Sequence, residues 1–194
     1  MIDYLSAGIA DFYVRKKIIL PNEKEVYKYG VSLILNDVVT FSLILILSAL
    51  FFKLRLGAEF LAVFCFTRIF TGGYHARRAS LCRVGMLATW LCVMLGALLV
   101  KDCTLLLLTA ILAMSYIIAL PLIPVKHPNK TLTPQLIKRG RIGAAALYIL
   151  FSLCSVLLHL YAVRQDAATV ALSLSAVSVL AVIGKFTNER SETT

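Results

Sequence analysis

The sequence is poor in charge, and this scarcity is its first informative feature. Only 15% of its 194 residues are Asp, Glu, Lys or Arg, whereas 60% are hydrophobic. Soluble domains are usually about 45–50% apolar and about 25% charged. A composition this apolar excludes an ordinary soluble domain and indicates an integral membrane protein.

Paired cysteines and clustered histidines are also missing. The five cysteines are scattered along the chain and form no CxxC motif, which argues against a disulfide framework. Only three histidines are present, His75, His127 and His159. A Cys/His metal site needs three or four ligands, and His159 is expected near the opposite membrane face from the other two. We therefore expect no metal and no other cofactor.

Acidic residues are half as numerous as basic ones, and the formal net charge is +10. On a soluble chain this excess would suggest a nucleic-acid partner. Here the basic residues lie between apolar runs, so we expect them to contact anionic lipid headgroups and expect no nucleic acid. Asp3 and Asp11 near the N-terminus, with the basic cluster following the apolar residues, are unlike a cleaved signal peptide.

About six apolar runs are long enough to form transmembrane helices, and they leave room for no sizeable extramembrane domain. We predict one all-α membrane domain over residues 1–194. An N-terminal amphipathic helix over residues 1–20 is expected to lie in the membrane interface, because its apolar residues recur at helical spacing. The predicted spans cover residues of about 30–52, 56–72, 84–100, 103–124, 142–163 and 167–184.

The distribution of Lys and Arg predicts the orientation of these spans. With six crossings and a cytoplasmic N-terminus, fifteen of the 20 basic residues lie on the cytoplasmic side. Arg68 is intramembrane, and only four lie on the opposite side: Lys53, Arg55, Lys101 and Arg164. This asymmetry places both termini, the segment after residue 72 and the loop 125–141 on the cytoplasmic side. The second span carries two charges and ends in Gly-Gly, so it could re-enter the membrane instead of crossing.

The polar stretch from Arg68 to Cys82 contains the residue types of a nucleophilic site. Gly72 and Gly73 precede His75. Three arginines lie close to the His75–Cys82 pair in the sequence: Arg77, Arg78 and Arg83. A thiolate is a strong nucleophile, an imidazole can take its proton, and nearby cations stabilise the anion. Spacing alone is weak evidence for such a pair. The stretch nevertheless favours Cys82 as nucleophile and His75 as base, in acyl transfer or peptide hydrolysis through a thioester.

A straight helix cannot bring these two side chains together. Residues seven apart are separated by about 10 Å along the axis, because each residue rises about 1.5 Å. Proton transfer needs a separation of about 3 Å. The dyad therefore predicts a break in the helix near residues 72–80, and Gly72-Gly73 supplies the backbone freedom for it.

Two charged residues within the predicted spans form a second signal. A charge inside the membrane is costly and is a candidate for function. The topology places Asp37 and Arg68 at similar depth, so we expect them to pair. The pair either locks the first two spans together, or Arg68 faces a cavity and holds a substrate carboxylate or carbonyl. Glu59, near the opposite face, is expected to be solvated.

Arg68, the run Gly72-Gly73-Tyr74-His75-Ala76 and Cys82 together resemble the signature of the accessory gene regulator protein B (AgrB) family of membrane cysteine endopeptidases. Residues 119–130 contain prolines followed by a loop with Asn129 and Lys130, and they resemble the second recognisable stretch of that family. Chain length and number of spans agree as well, so the resemblance covers nearly the whole chain.

The resemblance implies a quorum-sensing function in the cell membrane of a Gram-positive bacterium. Cys82 would cleave an AgrD-like precursor peptide with His75 as general base. A cysteine of the precursor would then attack the Cys82 thioester and close the ring of an autoinducing peptide. The resemblance also implies a homodimer, but it carries over no third catalytic residue. Asn129 and Lys130 lie in the loop that is expected to meet the substrate and are candidates for substrate-binding or site-supporting residues. Asn129 is also a candidate to orient His75.

Two other functions suit a small polytopic membrane protein. One is a transporter or permease in which Asp37 and Arg68 line a path, although the sequence contains no inverted repeat. The other is a non-enzymatic scaffold for a membrane partner. Both alternatives tolerate the change Cys82→Ala, whereas a cysteine endopeptidase does not.

Overall fold

A computed structural model describes residues 2–51, 53–71, 79–123 and 133–192. These residues form seven α-helices and contain no strand, so the prediction of an all-α membrane protein is confirmed. Short 3-10 helices precede the second helix (Pro21–Glu23) and follow the fifth (Leu120–Leu122). The seven helices are α1 (Ile2–Arg15), α2 (Lys24–Leu50), α3 (Leu54–Thr71), α4 (Ala79–Val100), α5 (Leu105–Ala119), α6 (Pro134–Leu160) and α7 (Arg164–Glu192).

Five helical stretches of the described chain are long and apolar enough to cross a bilayer. They are Pro21–Leu50, Leu81–Val100, Leu105–Leu122, Pro134–Leu160 and Arg164–Thr187. The helix α3 is not among them, because its 18 residues include Arg55, Glu59 and Arg68. Its length is about 27 Å at a rise of about 1.5 Å per residue, close to the hydrocarbon thickness of about 30 Å. A sixth crossing by α3 therefore stays a prediction.

Most of the helices extend beyond the predicted spans, and α2 and α6 do so at their N-termini. The polar stretch before residue 30 and the apolar run after it form one continuous helix, α2. The helix α6 begins at Pro134, which lies within the loop predicted over residues 125–141. Proline is favourable at the first position of a helix, where its missing N–H leaves no hydrogen bond unmade. Pro134 therefore begins a helix and does not break one.

The last helix, α7, occupies the centre of the bundle. It packs against α3, α4, α5 and α6. One buried cluster contains Leu108, Tyr148 and Leu174 and joins α7 to α3, α5 and α6. A second cluster contains Phe60 and Trp90 and joins α7 to α2, α3 and α4. Because α3 and α7 contribute to both clusters, they connect the two halves of the bundle.

Small polar side chains join α7 to its neighbours. Tyr148 of α6 lies 2.8 Å from the Ser178 hydroxyl, which in turn donates to the carbonyl of Ser115 on α5 at 2.8 Å. The hydroxyls of Ser115 and Ser175 are 2.7 Å apart. In a bilayer the lipid tails are as apolar as the side chains, so close packing and hydrogen bonds carry helix association. This hydroxyl network therefore accounts for much of the specificity of the α5–α6–α7 contact.

The Tyr148–Ser178 hydrogen bond provides a test of this network. We expect Tyr148→Phe and Ser178→Ala each to lower the free energy of unfolding by about 0.5–1.5 kcal/mol. Their effects should be coupled by about 0.6 kcal/mol, a typical value for hydrogen bonds between membrane helices. Reversible unfolding of the four proteins of the double-mutant cycle in mixed micelles measures this coupling. Strictly additive effects would contradict a direct bond.

A cluster of acidic and basic side chains lies at the end of the bundle opposite Cys82, and it corrects the expectation that Glu59 is solvated. The Glu59 side chain is only 24% exposed and lies 3.6 Å from Arg55. The guanidinium of Arg55 also contacts the carboxylate of Asp166 on α7, whose side chain is 6% exposed. Nearby, Lys53 donates to Gln165 at 2.7 Å. Glu59 is therefore part of a network that ties the α2–α3 turn to the start of α7.

The N-terminal helix α1 packs along α2. Asp11 and Lys24 form an ion pair of 2.6 Å between them. Tyr4, Leu5 and Phe12 are exposed on the other side of α1. An exposed apolar face beside a basic cluster is typical of a helix that lies in the interface, and this placement of α1 stays a prediction.

Candidate functional site

The predicted site falls where α3 ends at Thr71 and α4 begins at Ala79. Gly72, Gly73 and His75 lie between these two helices, outside the described residues, and so does the predicted break. Asn129 and Lys130 likewise lie outside the described part of the chain. The distance between His75 and Cys82 therefore stays a prediction. Cys82 itself and the side chains around it are described.

Cys82 lies in the first turn of α4, and its side chain is half-buried. The N–H groups in the first turn of a helix have no acceptor within the helix and carry partial positive charge. Residues three, four and seven positions further along share the face of Cys82, and these are Gly85, Met86 and Thr89. The Thr89 hydroxyl donates to the carbonyl of Gly85 at 2.8 Å. Along this face of α4, beyond the thiol, the Thr89 hydroxyl is therefore already used in a hydrogen bond to the backbone.

A cavity of about 50 Å³ lies against this face. Its other walls come from α3, which contributes Phe64 and Arg68, and from α7, which contributes Leu180. Phe64 is buried, whereas Leu81 and Gly85 are exposed and form the rim. Three helices thus build a small, mostly apolar space that begins at the Cys82 thiol.

Arg68 supplies the positive charge of this cavity. Its guanidinium lies 5.3 Å from the centroid of the Phe64 ring, one helical turn away on the same face of α3. It lines the same cavity as Cys82, and the Asp37 carboxylate lies near enough to act on its charge. The structure thus brings Asp37, Arg68 and Cys82 together. Both roles weighed from the sequence remain open to Arg68, because it faces the acid of α2 and the cavity at once.

Several residues of this site carry no signal in the sequence. Phe64, Met86 and Leu180 are ordinary apolar residues of three different spans. Their convergence depends on how α3, α4 and α7 are rotated about their axes. Cys65 lies within an apolar run, where a cysteine is hard to distinguish from any other small hydrophobic residue. Within the described part of the chain, no group of three or more His, Cys, Asp or Glu side chains could hold a metal ion.

The first turns of α6 contact both segments that flank the undescribed loops. Phe70, near the end of α3, packs on Gly143 so closely that a Cβ atom at position 143 would overlap its ring. Arg141 donates from Nε to the carbonyl of Ile123 at 3.0 Å, just before the loop 124–132. Close approach at a glycine is a common way to join membrane helices. The start of α6 therefore holds the end of α3 and the end of the segment after α5.

The Phe70–Gly143 contact predicts a specific sensitivity. We expect Gly143→Ala to lower the free energy of unfolding by about 1–3 kcal/mol, because the added methyl overpacks the α3–α6 contact. The double variant Phe70→Ala, Gly143→Ala should recover part of that loss. Gly30→Ala is the matched control, since no described atom lies within 4 Å of its Cβ position. Unfolding in mixed micelles measures all three, and equal effects at positions 30 and 143 would contradict the contact.

The family model described as Accessory gene regulator B matches residues 6–184 of the chain. The matched region extends from α1 into α7 and contains every residue of the candidate site. No curated protein and no solved structure matches the chain.

Proposed function

Because the chain belongs to the accessory gene regulator B family, which is involved in agr quorum-sensing peptide processing, we propose that it is a membrane cysteine endopeptidase that cleaves and cyclises an AgrD-like precursor. One observation carries this proposal. Cys82, in the first turn of α4, opens onto a cavity that also contains the guanidinium of Arg68. A thiol, a helix N-terminus and a fixed cation are together suited to attack on a carbonyl group.

Cleavage begins when the Cys82 sulfur attacks the carbonyl carbon of the scissile peptide bond. The thiol proton passes to the imidazole of His75, which then donates it to the leaving nitrogen as the carbon–nitrogen bond breaks. The C-terminal fragment departs as an amine. The N-terminal part of the precursor stays attached to Cys82 as a thioester.

Ring closure exchanges this thioester for another. The thiol of a precursor cysteine loses its proton to His75, and its sulfur attacks the carbonyl carbon of the Cys82 thioester. The bond from that carbon to the Cys82 sulfur breaks, and the Cys82 thiolate recovers the proton. The product is a cyclic thioester, a thiolactone. One carbon–sulfur bond forms as another breaks, so the reaction needs little free energy from the enzyme. The enzyme has to keep water away from the thioester, because water would hydrolyse it.

Arg68 is suited to stabilise the negative charge that develops on the attacked carbonyl oxygen. A preorganised donor in a site with little water costs no reorganisation during the reaction, and its removal typically slows catalysis by about 10²–10³-fold. The apolar walls from Phe64, Met86 and Leu180 support the same proposal, because they keep water from the thioester. Asp37 would then hold Arg68 in place as a positioning residue.

The basic residues favour an active site on the cytoplasmic side of a Gram-positive cell membrane, where the precursor is made. The family resemblance makes a homodimer the expected assembly. The helix α1 would lie in the membrane–water interface through its exposed apolar residues, Tyr4, Leu5 and Phe12. An amphipathic precursor that approaches along the membrane would lie in the same interface.

The thioester provides the decisive test. The purified protein in lipid nanodiscs is mixed with a synthetic AgrD-like precursor whose ring-forming cysteine is replaced by alanine, so that the intermediate accumulates. Intact-mass spectrometry should show the protein plus the N-terminal fragment, hydroxylamine should remove the adduct, and digestion should locate it on Cys82. The variant Cys92→Ala should form it normally. Cleavage without an adduct, or an adduct on Cys65, would contradict the proposal.

A further inference from the structure

Asn36 of α2 is a buried polar side chain whose capacity for hydrogen bonds is not fully used. The residue is only 4% exposed, and its carboxamide oxygen, Oδ1, has no hydrogen-bond partner among the described residues. A buried carbonyl without a donor costs free energy, and the large majority of such oxygens in proteins are paired. The Asn36 oxygen can therefore still accept a hydrogen bond from a ligand.

Asn36 lies at the depth of Cys82 in the bundle. The helices α2 and α4 run in the same direction, because α3 runs back between them. Ile44 of α2 and Trp90 of α4 belong to one buried cluster, which sets the relative height of the two helices. Eight residues towards the N-terminus of each helix, about 12 Å back along both axes, lie Asn36 and Cys82.

The helix α3 gives the same depth independently. Asp37 follows Asn36 in the sequence and lies near enough to Arg68 to act on its charge, and Arg68 lines the cavity beside Cys82. Apart from α1, which packs along α2, the main neighbours of α2 are α3 and α4. The buried carboxamide therefore belongs to the same layer of the bundle as the guanidinium and the thiol.

The other polar side chains of this part of the bundle do not supply a donor. Thr40, one turn further along α2, donates to the backbone carbonyl of Asn36 at 2.7 Å. Thr67 of α3 donates to the carbonyl of Val63 at 2.6 Å. The indole N–H of Trp90 is also without a partner among the described residues, but it lies about 12 Å deeper in the bundle. By contrast, the hydroxyls between α5, α6 and α7 pair with one another.

We propose that the Asn36 carboxamide binds the backbone of the precursor beside the scissile bond, with Oδ1 accepting the N–H of one substrate residue. The proposal rests on the function proposed above. A peptide brings an N–H donor at nearly every residue, whereas lipid tails and apolar side chains bring none. With Arg68 at the reacting carbonyl and Asn36 at a neighbouring N–H, the scissile bond is held at two points against the Cys82 sulfur.

A carboxamide kept for the substrate should contribute nothing to the stability of the free protein. Asn36→Leu keeps the branching and the number of heavy atoms of the side chain but removes every hydrogen-bonding group. We therefore expect this variant to unfold in mixed micelles at a denaturant concentration at least as high as that of the unmodified protein, while it binds the precursor less well. A loss of stability together with unchanged use of the precursor would overturn the proposal.

The experiment combines this variant with substrates that lack single N–H groups. In a set of synthetic AgrD-like precursors, each amide within three residues of the scissile bond is replaced in turn by an ester, and the scissile amide is kept. Initial cleavage rates are measured in nanodiscs over a range of precursor concentrations. Ser48→Ala is the matched control, because it removes another buried and unpaired oxygen of α2, about 18 Å from Asn36 along the axis.

We expect the unmodified protein to cleave one ester precursor about tenfold less efficiently than the others, because that ester leaves Oδ1 without its donor. Asn36→Leu should raise the precursor concentration at half-maximal rate about tenfold with little change in the maximal rate, as for a contact made equally before and during the reaction. In this variant the same ester should have no further effect. Ser48→Ala should match the unmodified protein with every precursor.

The outcomes separate this inference from the function on which it rests. If each ester has the same effect on the unmodified protein and on Asn36→Leu, then Asn36 binds no substrate N–H, and this inference is wrong while the peptidase stands. If Asn36→Leu does not insert, Asn36→Ala takes its place in the same comparison. If the unmodified protein cleaves no precursor and forms no adduct on Cys82, the proposed function itself fails.

Discussion

Replacement of Cys82 by alanine is expected to reduce precursor cleavage to the background rate, and His75→Ala to reduce it by about 10²–10⁴-fold. Without the sulfur no thioester can form, so neither cleavage nor ring closure has a route. Without the imidazole the thiol has to lose its proton to water, and the leaving nitrogen has no positioned acid. The measurement is the conversion of an AgrD-like precursor by purified protein in nanodiscs, followed by mass spectrometry.

The matched control is Cys92→Ala. Cys92 is on the same helix as Cys82 but is exposed and lies about 15 Å further along the axis, so its loss should leave the rate unchanged. All variants are compared at equal amounts of membrane-inserted protein. Normal processing by Cys82→Ala would reject the peptidase and favour a permease or a scaffold. Normal processing by His75→Ala alone would leave the nucleophile and reject the dyad.

The second large effect is expected at Arg68. We expect Arg68→Met to lower the maximal rate of cleavage by about 10²–10³-fold with little change in the precursor concentration at half-maximal rate. A charge that acts on the oxygen of the reacting carbonyl is used mainly in the transition state, and its loss therefore appears in the maximal rate. Arg68→Lys should recover part of the rate, because an ammonium group keeps the charge but not the geometry of a guanidinium.

The double variant Asp37→Asn, Arg68→Met separates this role from a structural lock. If Arg68 only neutralises Asp37, the single variant leaves the Asp37 carboxylate, which lies within the first predicted span, without its counter-charge. Removal of both charges should then restore activity. If Arg68 acts on the substrate, the double variant should stay as slow as Arg68→Met. Lys101→Met removes an exposed charge at the other end of α4 and should keep full activity. Recovery in the double variant would overturn the catalytic role.

Helix number and class follow from the sequence because apolar runs of about 20 residues have few other stable solutions in a chain with so little charge. The excess of Lys and Arg on one side of the predicted spans likewise predicts their orientation without reference to packing. The sequence alone also suggests three candidate site residues, namely Cys82, His75 and Arg68. Each is polar or reactive where the surrounding sequence is apolar, and together they resemble a family signature that the family match supports.

The packing of helices inside the membrane cannot be predicted from this apolar sequence. A leucine that faces lipid and a leucine that faces another helix satisfy hydropathy equally, so the apolar runs do not show that Leu180 lines the Cys82 cavity. The central position of α7 is equally hidden, although its many alanines and serines suit close contact. The expectation that Glu59 is solvated is wrong for the same reason. Its neighbours Arg55 and Asp166 come together only when the start of α7 meets the start of α3.

The sequence by itself therefore determined that this is a helical membrane protein with one reactive stretch, because composition and charge act locally along the chain. It also predicted that Cys82 and His75 can act together only if the helix breaks between them. Only the tertiary structure decided that Arg68 faces both Asp37 and Cys82, and that Phe64, Met86 and Leu180 form a pocket beside the thiol. Those relations depend on how α3, α4 and α7 are rotated about their axes and where they touch. In lipid, apolar residues occur both on the faces that touch other helices and on the faces that touch lipid, so the sequence does not show which face is which.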